Sequence, residues 1–354
     1  MTELMKDILR QPEELAKALA YTLGPGRSEL ERAAREISEA RHIYITGIGS
    51  SWHAGMAISS LLDAGGRPAC LLDASEFLHF TQIAKNSAIL VLSRSGRSIE
   101  IVNLLSKAKQ SGAKIIAITN TAKTPLVEAA DVTLYMEAAF DHFVSITMYS
   151  ALALVGGLLA SRVLNDLNAS LVQSLTESLL AVRDVLDPWI QQIQGNTWFE
   201  PNASTYFLAR GTSLASCHEA RLLWEEAAKA PATAMTTGGF RHGPQEIIVD
   251  GFRFGIWISQ DQLRHQDLAV ATDVRKLGGK VMLIGQNLSA DAGDLVFSLP
   301  KIPDHWQFLV DIIPAQLAAE RLSHIRGVHC DSFLICSYIV EGEYGLIAEP
   351  TRKG

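Results

Sequence analysis

HIYITGIGSS, at residues 42–51, recurs as TYFLARGTSL at residues 205–214, and in both copies an apolar strand runs into a turn of small residues. Three further stretches recur in the same order and pair as 88–98 with 253–263, 113–120 with 279–286, and 129–136 with 291–299. The offset stays between 162 and 166 residues throughout. Four strands that recur in one order at one offset indicate two copies of one structural unit.

Within each copy, short β-branched runs alternate with helical patterns such as residues 98–112 and 265–279, each of which ends at glycine. This alternation is typical of βαβ units and a parallel sheet. We therefore predict an α/β chain of two tandem, doubly wound, flavodoxin-like units with flanking helices. The expected divisions are a helical segment at 1–36, the first unit at 37–165, connecting helices at 166–196, and the second unit with a C-terminal tail at 197–354. A break near Asp187 and Pro188 is expected in the connecting helix.

Composition excludes several classes of protein. The chain has 354 residues, 48% of them hydrophobic and 19% charged, which excludes a disordered protein. The net charge of −7 comes without a long run of either sign, so we expect no nucleic-acid partner. The four cysteines show no CxxC spacing and are expected to be reduced thiols in a cytoplasmic protein.

Residues 143–161 carry no charge and approach the length of a membrane span. The stretch contains several hydroxyl residues and a glycine pair, and it follows Asp141 and His142. It is therefore interpreted as a helix buried in a core or a subunit interface, with no membrane association.

The turns after the first two repeated strands are the first places to look for a ligand, because parallel sheets bind ligands outside the C-terminal ends of their strands. Gly47 and Gly49 permit a tight turn, and Ser50 and Ser51 place hydroxyls at a helix start. Trp52 stands where a dinucleotide fingerprint needs its third glycine, so no nucleotide is predicted. A plain strand–helix turn explains this segment equally well.

The loop Ser93–Arg94–Ser95–Gly96–Arg97–Ser98 is a stronger candidate. Three hydroxyls and two guanidinium groups converge on the N-terminus of a helix, which is what a phosphate monoester requires. The alternative is a helix cap with solvated arginines, but three serines exceed what capping requires. The matching turn of the second copy, Ser259–Gln260–Asp261, lacks this hydroxyl cluster, so the second copy is expected to do different work.

Acid–base chemistry is the expected work of the second copy. Glu219 and Glu226 are seven residues apart on one face of a helix, and His242 follows in a loop. Glu225 and Lys229, four residues apart, are interpreted as a solvent-facing pair. A carboxylate and an imidazole suit proton transfer between adjacent sugar carbons. From spacing alone, surface glutamates and a loop histidine are the simpler explanation. The histidines show no HxH or HExxH spacing, so no metal is predicted.

Together, the motifs G-I-G-S-S-x-x-A-G, S-x-S-G-x-S and E…R-H-G-P in a duplicated α/β chain resemble the sugar isomerase (SIS) family. The resemblance is strongest to the isomerase half of glucosamine-fructose-6-phosphate aminotransferases, and it includes the opening segment Lys6–Pro12. It implies that the phosphosugar is held by residues of both turns, namely Gly49, Ser50, Ser51, Ser93, Arg94, Ser95 and Ser98. It also implies that the carbonyl of Val144 faces a sugar hydroxyl, that Glu226 moves the proton, and that His242 opens the sugar ring in a neighbouring subunit of a homodimer.

Two departures from that family pattern bear on the reaction. Leu223 stands where the aminotransferases have a lysine three residues before the glutamate, and Cys336 stands where their tail lysine forms a Schiff base. We also expect no glutaminase domain ahead of Met1. The expected function is an isomerase, deaminase or deglycase of a 6-phosphorylated amino sugar or its ketose, without cofactor and without glutamine. The alternative is a non-catalytic regulator that binds a sugar phosphate.

Overall fold

Over residues 1–342 and 345–346, which the computed structural model describes, the chain forms two parallel sheets of five strands each. The strands of the first sheet are β1 His42–Gly47, β2 Cys70–Asp73, β3 Ser87–Leu92, β4 Lys114–Thr119 and β5 Val132–Tyr135. Those of the second are β6 Thr205–Ala209, β7 Ala232–Thr236, β8 Arg253–Ile258, β9 Lys280–Gly285 and β10 Leu295–Ser298. The strand orders are β2-β1-β3-β4-β5 and β7-β6-β8-β9-β10, which are the same order in the two copies. The predicted tandem doubly wound fold is confirmed.

Helices flank both sheets. In the first half they are α1 Glu3–Leu23, α2 Arg27–Glu39, α3 Ser50–Ala64, α4 Ala74–Phe80, α5 Ile99–Ser111, α6 Pro125–Ala129 and α7 Thr147–Val163. The remaining α-helices are α8 Ala169–Ile193, α9 Ser213–Glu226, α10 Thr237–Phe240, α11 Arg264–Lys276 and α12 Ile313–Arg326. Short 3-10 helices span Pro244–Ile247 and Asp304–Leu309.

The interior strands carry continuous apolar runs because helices cover both faces of each sheet. All residues of β3 and of β8 are buried. The repeats in the sequence correspond to four strands of each sheet, and the structure adds β2 and β7, which the repeats did not show. These two are partly exposed edge strands, so their sequences are less apolar.

The uncharged stretch that approached membrane length forms α7, in the interior of the molecule. Every residue of α7 except Arg162 is buried. Gly156 lies against α3 so closely that a Cβ atom would overlap Ile58, which allows the two helices to pack tightly. The interpretation as a core helix is confirmed. Among the described helices, none is both long and apolar enough to cross a bilayer.

The expected helix break near Asp187 and Pro188 is wrong. α8 runs through Pro188, and the chain instead turns between α7 and α8 at residues 164–168. Pro188 lies on the exposed face of α8, where water can bond the carbonyl that loses its helical partner. Leu186 and Trp189 are buried on the opposite face and anchor the helix to the core.

The two halves of the chain pack together through equivalent helices. α3, which follows the first strand of the first sheet, packs against α9, which follows the first strand of the second. This contact brings the N-terminal end of α3 and the C-terminal end of α9 to one pocket.

Candidate active site

A pocket of about 260 Å³ lies at the carboxyl ends of β1 and β3. These neighbouring strands lead the chain to opposite sides of the sheet, which is where doubly wound sheets bind ligands. The pocket is lined by the turn after β1, the loop after β3, the end of α9 and a segment of the C-terminal tail. Eight of the ten predicted site residues line it: Gly49, Ser50, Ser51, Ser93, Arg94, Ser95, Ser98 and Glu226.

The turn after β1 delivers backbone N–H groups to the pocket. Gly49 has a φ of 55°, a left-handed conformation that is strained for residues with a side chain. α3 begins directly afterwards at Ser50. Because the first N–H groups of a helix have no partner within the helix, they are available to an anionic or polar ligand.

The serine loop after β3 keeps its hydroxyl groups available. The Gly96 N–H donates to Ser93 Oγ at 3.1 Å, and the Arg97 N–H donates to Ser95 Oγ at 3.3 Å. Each of these hydroxyls accepts one bond and retains its own proton to donate. Ser98 occupies the N-cap position of α5, yet its side chain makes no capping hydrogen bond. The geometry thus favours ligand binding over simple helix capping.

Arg94 is the cation of this loop that lines the pocket. Its guanidinium lies 4.0 Å from the ring centroid of Tyr338, and Nη2 donates to the Tyr338 carbonyl at 3.0 Å. Nη1 is buried and has no hydrogen-bond partner among the described residues. Arg97 is exposed and outside the pocket lining, so the expectation that both arginines converge on this site is wrong for Arg97.

Glu226, the last residue of α9, lies on the pocket wall formed by the second unit. Burial, and next the charge of Glu219, raise the pKa of this carboxyl to about 7, while Arg94 and Lys229 act in the opposite direction. A carboxyl group with a pKa near neutrality can both accept and return a proton at neutral pH.

The predicted solvent-facing pair of Glu225 and Lys229 is wrong. Glu225 pairs with Arg221 at 2.7 Å, whereas Lys229 is half-buried and donates to the backbone carbonyls of Glu226 and Ser332. Burial lowers the pKa of Lys229. This lysine therefore connects the end of α9 to the beginning of the C-terminal tail, and its spacing in the sequence gave no indication of that contact.

Two predicted site residues lie outside the pocket lining. Val144 is buried in the core, while its neighbours Phe143 and Ser145 line the pocket. His242 is exposed in the turn after α10. Within one chain, the structure does not bring His242 together with Glu226.

The C-terminal tail forms a wall that sequence reasoning did not identify. The Ile99 N–H donates to the Val340 carbonyl at 3.0 Å, and the Tyr338 hydroxyl donates to the Asp141 carbonyl at 3.0 Å. These contacts join residues roughly 200 or more positions apart, which a single sequence cannot reveal.

Cys336 lies in the tail wall, where the related aminotransferases were expected to carry a lysine. Partial burial raises the pKa of its thiol, and the charge of Glu226 raises it further. Another lysine could in principle take the place of the missing one, but Lys301 is not part of the pocket lining, and Lys353 lies outside the described residues.

The corresponding loop of the second unit is occupied by the chain's own carboxylates. The Gln260 N–H donates to Asp304 at 2.9 Å, and the Leu263 N–H donates to Asp261 at 2.7 Å. These amides are therefore already bonded to internal anions, in agreement with the loss of the hydroxyl cluster from this loop.

The arrangement combines a loop of serine hydroxyls beside Arg94 with a nearby carboxyl group whose pKa is raised to about 7. A ligand whose phosphate occupies the serine loop would extend its remaining atoms toward Glu226. In the described part of the chain, no group of three or more His, Cys, Asp or Glu side chains is placed to hold a metal ion.

Comparisons with known proteins agree with this architecture. Residues 36–160 match the SIS domain. A glutamine–fructose-6-phosphate aminotransferase (isomerizing) of Pyrobaculum aerophilum is 25% identical over 337 residues, which cover 93% of this chain but 55% of that protein. The chain thus spans about half the length of the curated relatives it matches.

Two solved structures show the same fold. The C-terminal domain of glucosamine-fructose-6-phosphate aminotransferase from Francisella tularensis has a TM-score of 0.82 at 22% identity, covering 94% of this chain and 98% of that one. Glucosamine-6-phosphate deaminase from Thermotoga maritima has a TM-score of 0.81 at 18% identity, covering 96% and 99%. The resemblance inferred from the motifs is confirmed.

Proposed function

We propose that this chain, which carries a SIS domain at residues 36–160, is an enzyme that acts on a 6-phosphorylated amino sugar or its ketose. It moves a proton between C1 and C2, and the net reaction is isomerisation, deamination or deglycation. The observation that carries the proposal is the position of Glu226, whose carboxyl has a pKa near 7 and lines one pocket with the serine loop.

Phosphate binding is assigned to the loop after β3. The hydroxyls of Ser93, Ser95 and Ser98 donate to the phosphate oxygens, and Arg94 contributes positive charge. The phosphate lies away from the reacting carbons, so this binding energy orients C1 and C2 against Glu226.

Proton transfer is assigned to Glu226. In the isomerisation direction, its carboxylate takes the proton from C2 of the open-chain aldose, which leaves an enediol, or an enolamine when C2 carries nitrogen. The resulting carboxylic acid then returns the proton to C1 and gives the ketose or its imine. Water adds to the imine carbon and releases the amine, so this route requires no external oxidant or reductant.

Ring opening is assigned to His242 of a second subunit. Because His242 is exposed and outside its own chain's pocket, it can act only on a site in a neighbouring copy. The proposal therefore includes a homodimer with shared active sites. The cytoplasmic location remains a prediction from the sequence.

The comparisons support the substrate class, since the two named activities are those of an isomerizing aminotransferase and of a glucosamine-6-phosphate deaminase. Leu223 and Cys336 favour the deaminating direction, because neither side chain can form an imine with the ketose. We therefore propose release of amine or ammonia rather than glutamine-dependent synthesis.

The same two substitutions favour the second candidate function, a non-catalytic regulator that binds a sugar phosphate. A panel of phosphorylated amino sugars and fructosamines separates the two. We expect at least one member to yield free sugar phosphate together with ammonia or an amino acid, as a ketose from a 2-amino sugar and as an aldose from a fructosamine. Glu226→Gln should lose this turnover. Tight binding of panel members by calorimetry, without product or exchange from any of them, would establish the regulator instead.

A further inference from the structure

Glu219 and His53 form a buried pair that the proposed reaction does not use. His53 Nδ1 lies 2.7 Å from Glu219 Oε2, and the two residues are only 3% and 1% exposed. His53 belongs to α3 of the first unit and Glu219 to α9 of the second. This hydrogen bond therefore joins the two halves of the duplicated chain.

Both partners share a helix with residues of the pocket. His53 comes three residues after Ser50, which is about one helical turn. Glu219 comes seven residues before Glu226, so the two carboxylates lie on one face of α9 about two turns apart. The pair thus fixes the helix that carries Glu226 against the helix that carries Ser50.

The charge of Glu219 is only partly compensated. His53 donates to one oxygen, while the other, Oε1, is buried and finds no hydrogen-bond partner in the described part of the chain. The neighbouring ring of His218 lies 5.9 Å from that of His53. Burial, followed by the charge of His53, lowers the pKa of His218 to about 4, so it supplies no cation at neutral pH.

Other ionisable groups face the two carboxylates from every side of the site. Glu219 is faced by His53 of α3 and Tyr149 of α7. Glu226 is faced by Arg94 of the serine loop, Lys229 after α9, Cys336 of the tail, and Glu219 and Glu225 of its own helix.

We infer that Glu219, held by His53, is a positioning residue for Glu226, fixing α9 against the sugar-binding turn and presenting a buried negative charge to the reacting carboxyl. This inference rests on the proposed function, in which Glu226 moves the proton. Burial is the main reason that the pKa of Glu226 lies near 7, and the charge of Glu219 is the next. Removing that charge leaves Glu226 a weaker base.

The direct test is a titration of Glu226 that requires no turnover. In protein labelled with ¹³C at the glutamate carboxyls, the signal lost in Glu226→Gln identifies this residue. We expect Glu219→Gln to lower the pKa of Glu226 by about 0.5–1 pH unit, as for a charge about 10 Å away in a partly buried setting. Glu225→Gln is the matched control, since it removes an exposed charge from the same helix, and its shift should be smaller because solvent screens it.

The pH profile of turnover provides the second readout. In Glu219→Gln, the acid limb of the kcat/KM profile should move to lower pH by the same amount as the titrated pKa of Glu226. His53→Asn, which retains a donor at the Nδ1 position, should keep the native limb, whereas His53→Leu should not. An increase in KM with an unchanged limb would indicate a purely structural role and overturn the inference.

An unchanged titration of Glu226 in folded Glu219→Gln would also overturn the inference. Because this variant replaces one planar side chain with another of the same shape, it leaves the packing of α3 and α9 intact. If Glu226→Gln instead retained full activity, the proposed function would fail while the titration would still report the coupling of the two carboxyls.

Discussion

Arg94 connects the two chemical parts of the pocket. It belongs to the loop assigned to phosphate, and its charge opposes the effect of burial on the pKa of Glu226. A bound phosphate dianion would neutralise this guanidinium. Substrate binding should then raise the pKa of Glu226 above its value in the free protein.

The pH dependence of turnover follows from this arrangement. Proton abstraction requires the carboxylate form of Glu226, so activity should be low below the pKa and rise as pH increases through it. The limb of kcat/KM, which reports the free enzyme, should lie near pH 7, and that of kcat should lie higher. Rate measurements between pH 5 and pH 9 test this, and limbs that fall near the ordinary glutamate value would contradict it.

Phosphate recognition is predicted at the same scale. Replacing both Ser95 and Ser98 with alanine removes two hydrogen bonds to a charged acceptor, which should weaken phosphosugar binding by about 3–6 kcal/mol. Calorimetry measures the affinity directly, and Ser259→Ala in the matching loop of the second unit is the control. Unchanged affinity in a folded double mutant would exclude this loop as the phosphate site.

The C-terminal tail is the element that separates this pocket from an open cleft. Its contacts with Ile99, Arg94 and Asp141 place Cys336 in the wall beside Glu226. Because a thiol cannot form an imine, Cys336 supplies a boundary to the pocket rather than an amine nucleophile.

Borohydride trapping tests this role of the tail. After incubation with fructose 6-phosphate and borohydride, peptide mapping should show no hexose on any lysine, because Cys336 stands in the place of the imine-forming lysine and a thiol gives no reducible imine. Lys229 deserves separate inspection, since burial lowers its pKa and it contacts the tail. A hexose-labelled lysine, whether Lys229 or one nearer the C-terminus, would show that imine chemistry survives in this chain.

At the level of helices and strands, the sequence predicts those features that depend on local residue patterns. The repeated strands were recognisable because all of them, including the edge strands β5 and β10, contain buried apolar positions. No residue of the other two edge strands, β2 and β7, is buried. The serine loop and Glu226 were recognisable as motifs. The contacts between Arg94 and Tyr338 and between His53 and Glu219 could not be predicted, because each joins residues far apart in the chain.

In the whole molecule, the two copies of one fold have different roles. The first carries the serine loop that lines the pocket, while the second bonds the corresponding amides to Asp261 and Asp304 and contributes Glu226 to the first copy's pocket. The contact between α3 and α9 makes this division possible, because it aligns the ends of both helices at one site.

Sharing of sites between subunits is tested by complementation. Glu226→Gln and His242→Ala chains with different tags should each be weakly active as purified homodimers. In co-expressed mixtures, half of the dimers are mixed, and each mixed dimer has one intact site, so about a quarter of native activity should return. The homodimers measured separately are the control. No recovery in isolated mixed dimers would place both residues in one chain's site, and full activity of the His242→Ala homodimer would remove His242 from the reaction.

The central claim is that Glu226 moves the proton of a bound phosphosugar, and exchange of that proton with solvent measures it most directly. In D₂O, glucosamine 6-phosphate and fructose 6-phosphate are followed by NMR for deuterium at C2 and C1, respectively, with native protein and with Glu226→Gln. We predict exchange by the native chain and a rate lowered on the order of 10²-fold or more in Glu226→Gln, with phosphosugar binding nearly unchanged. Full exchange in Glu226→Gln would contradict the account.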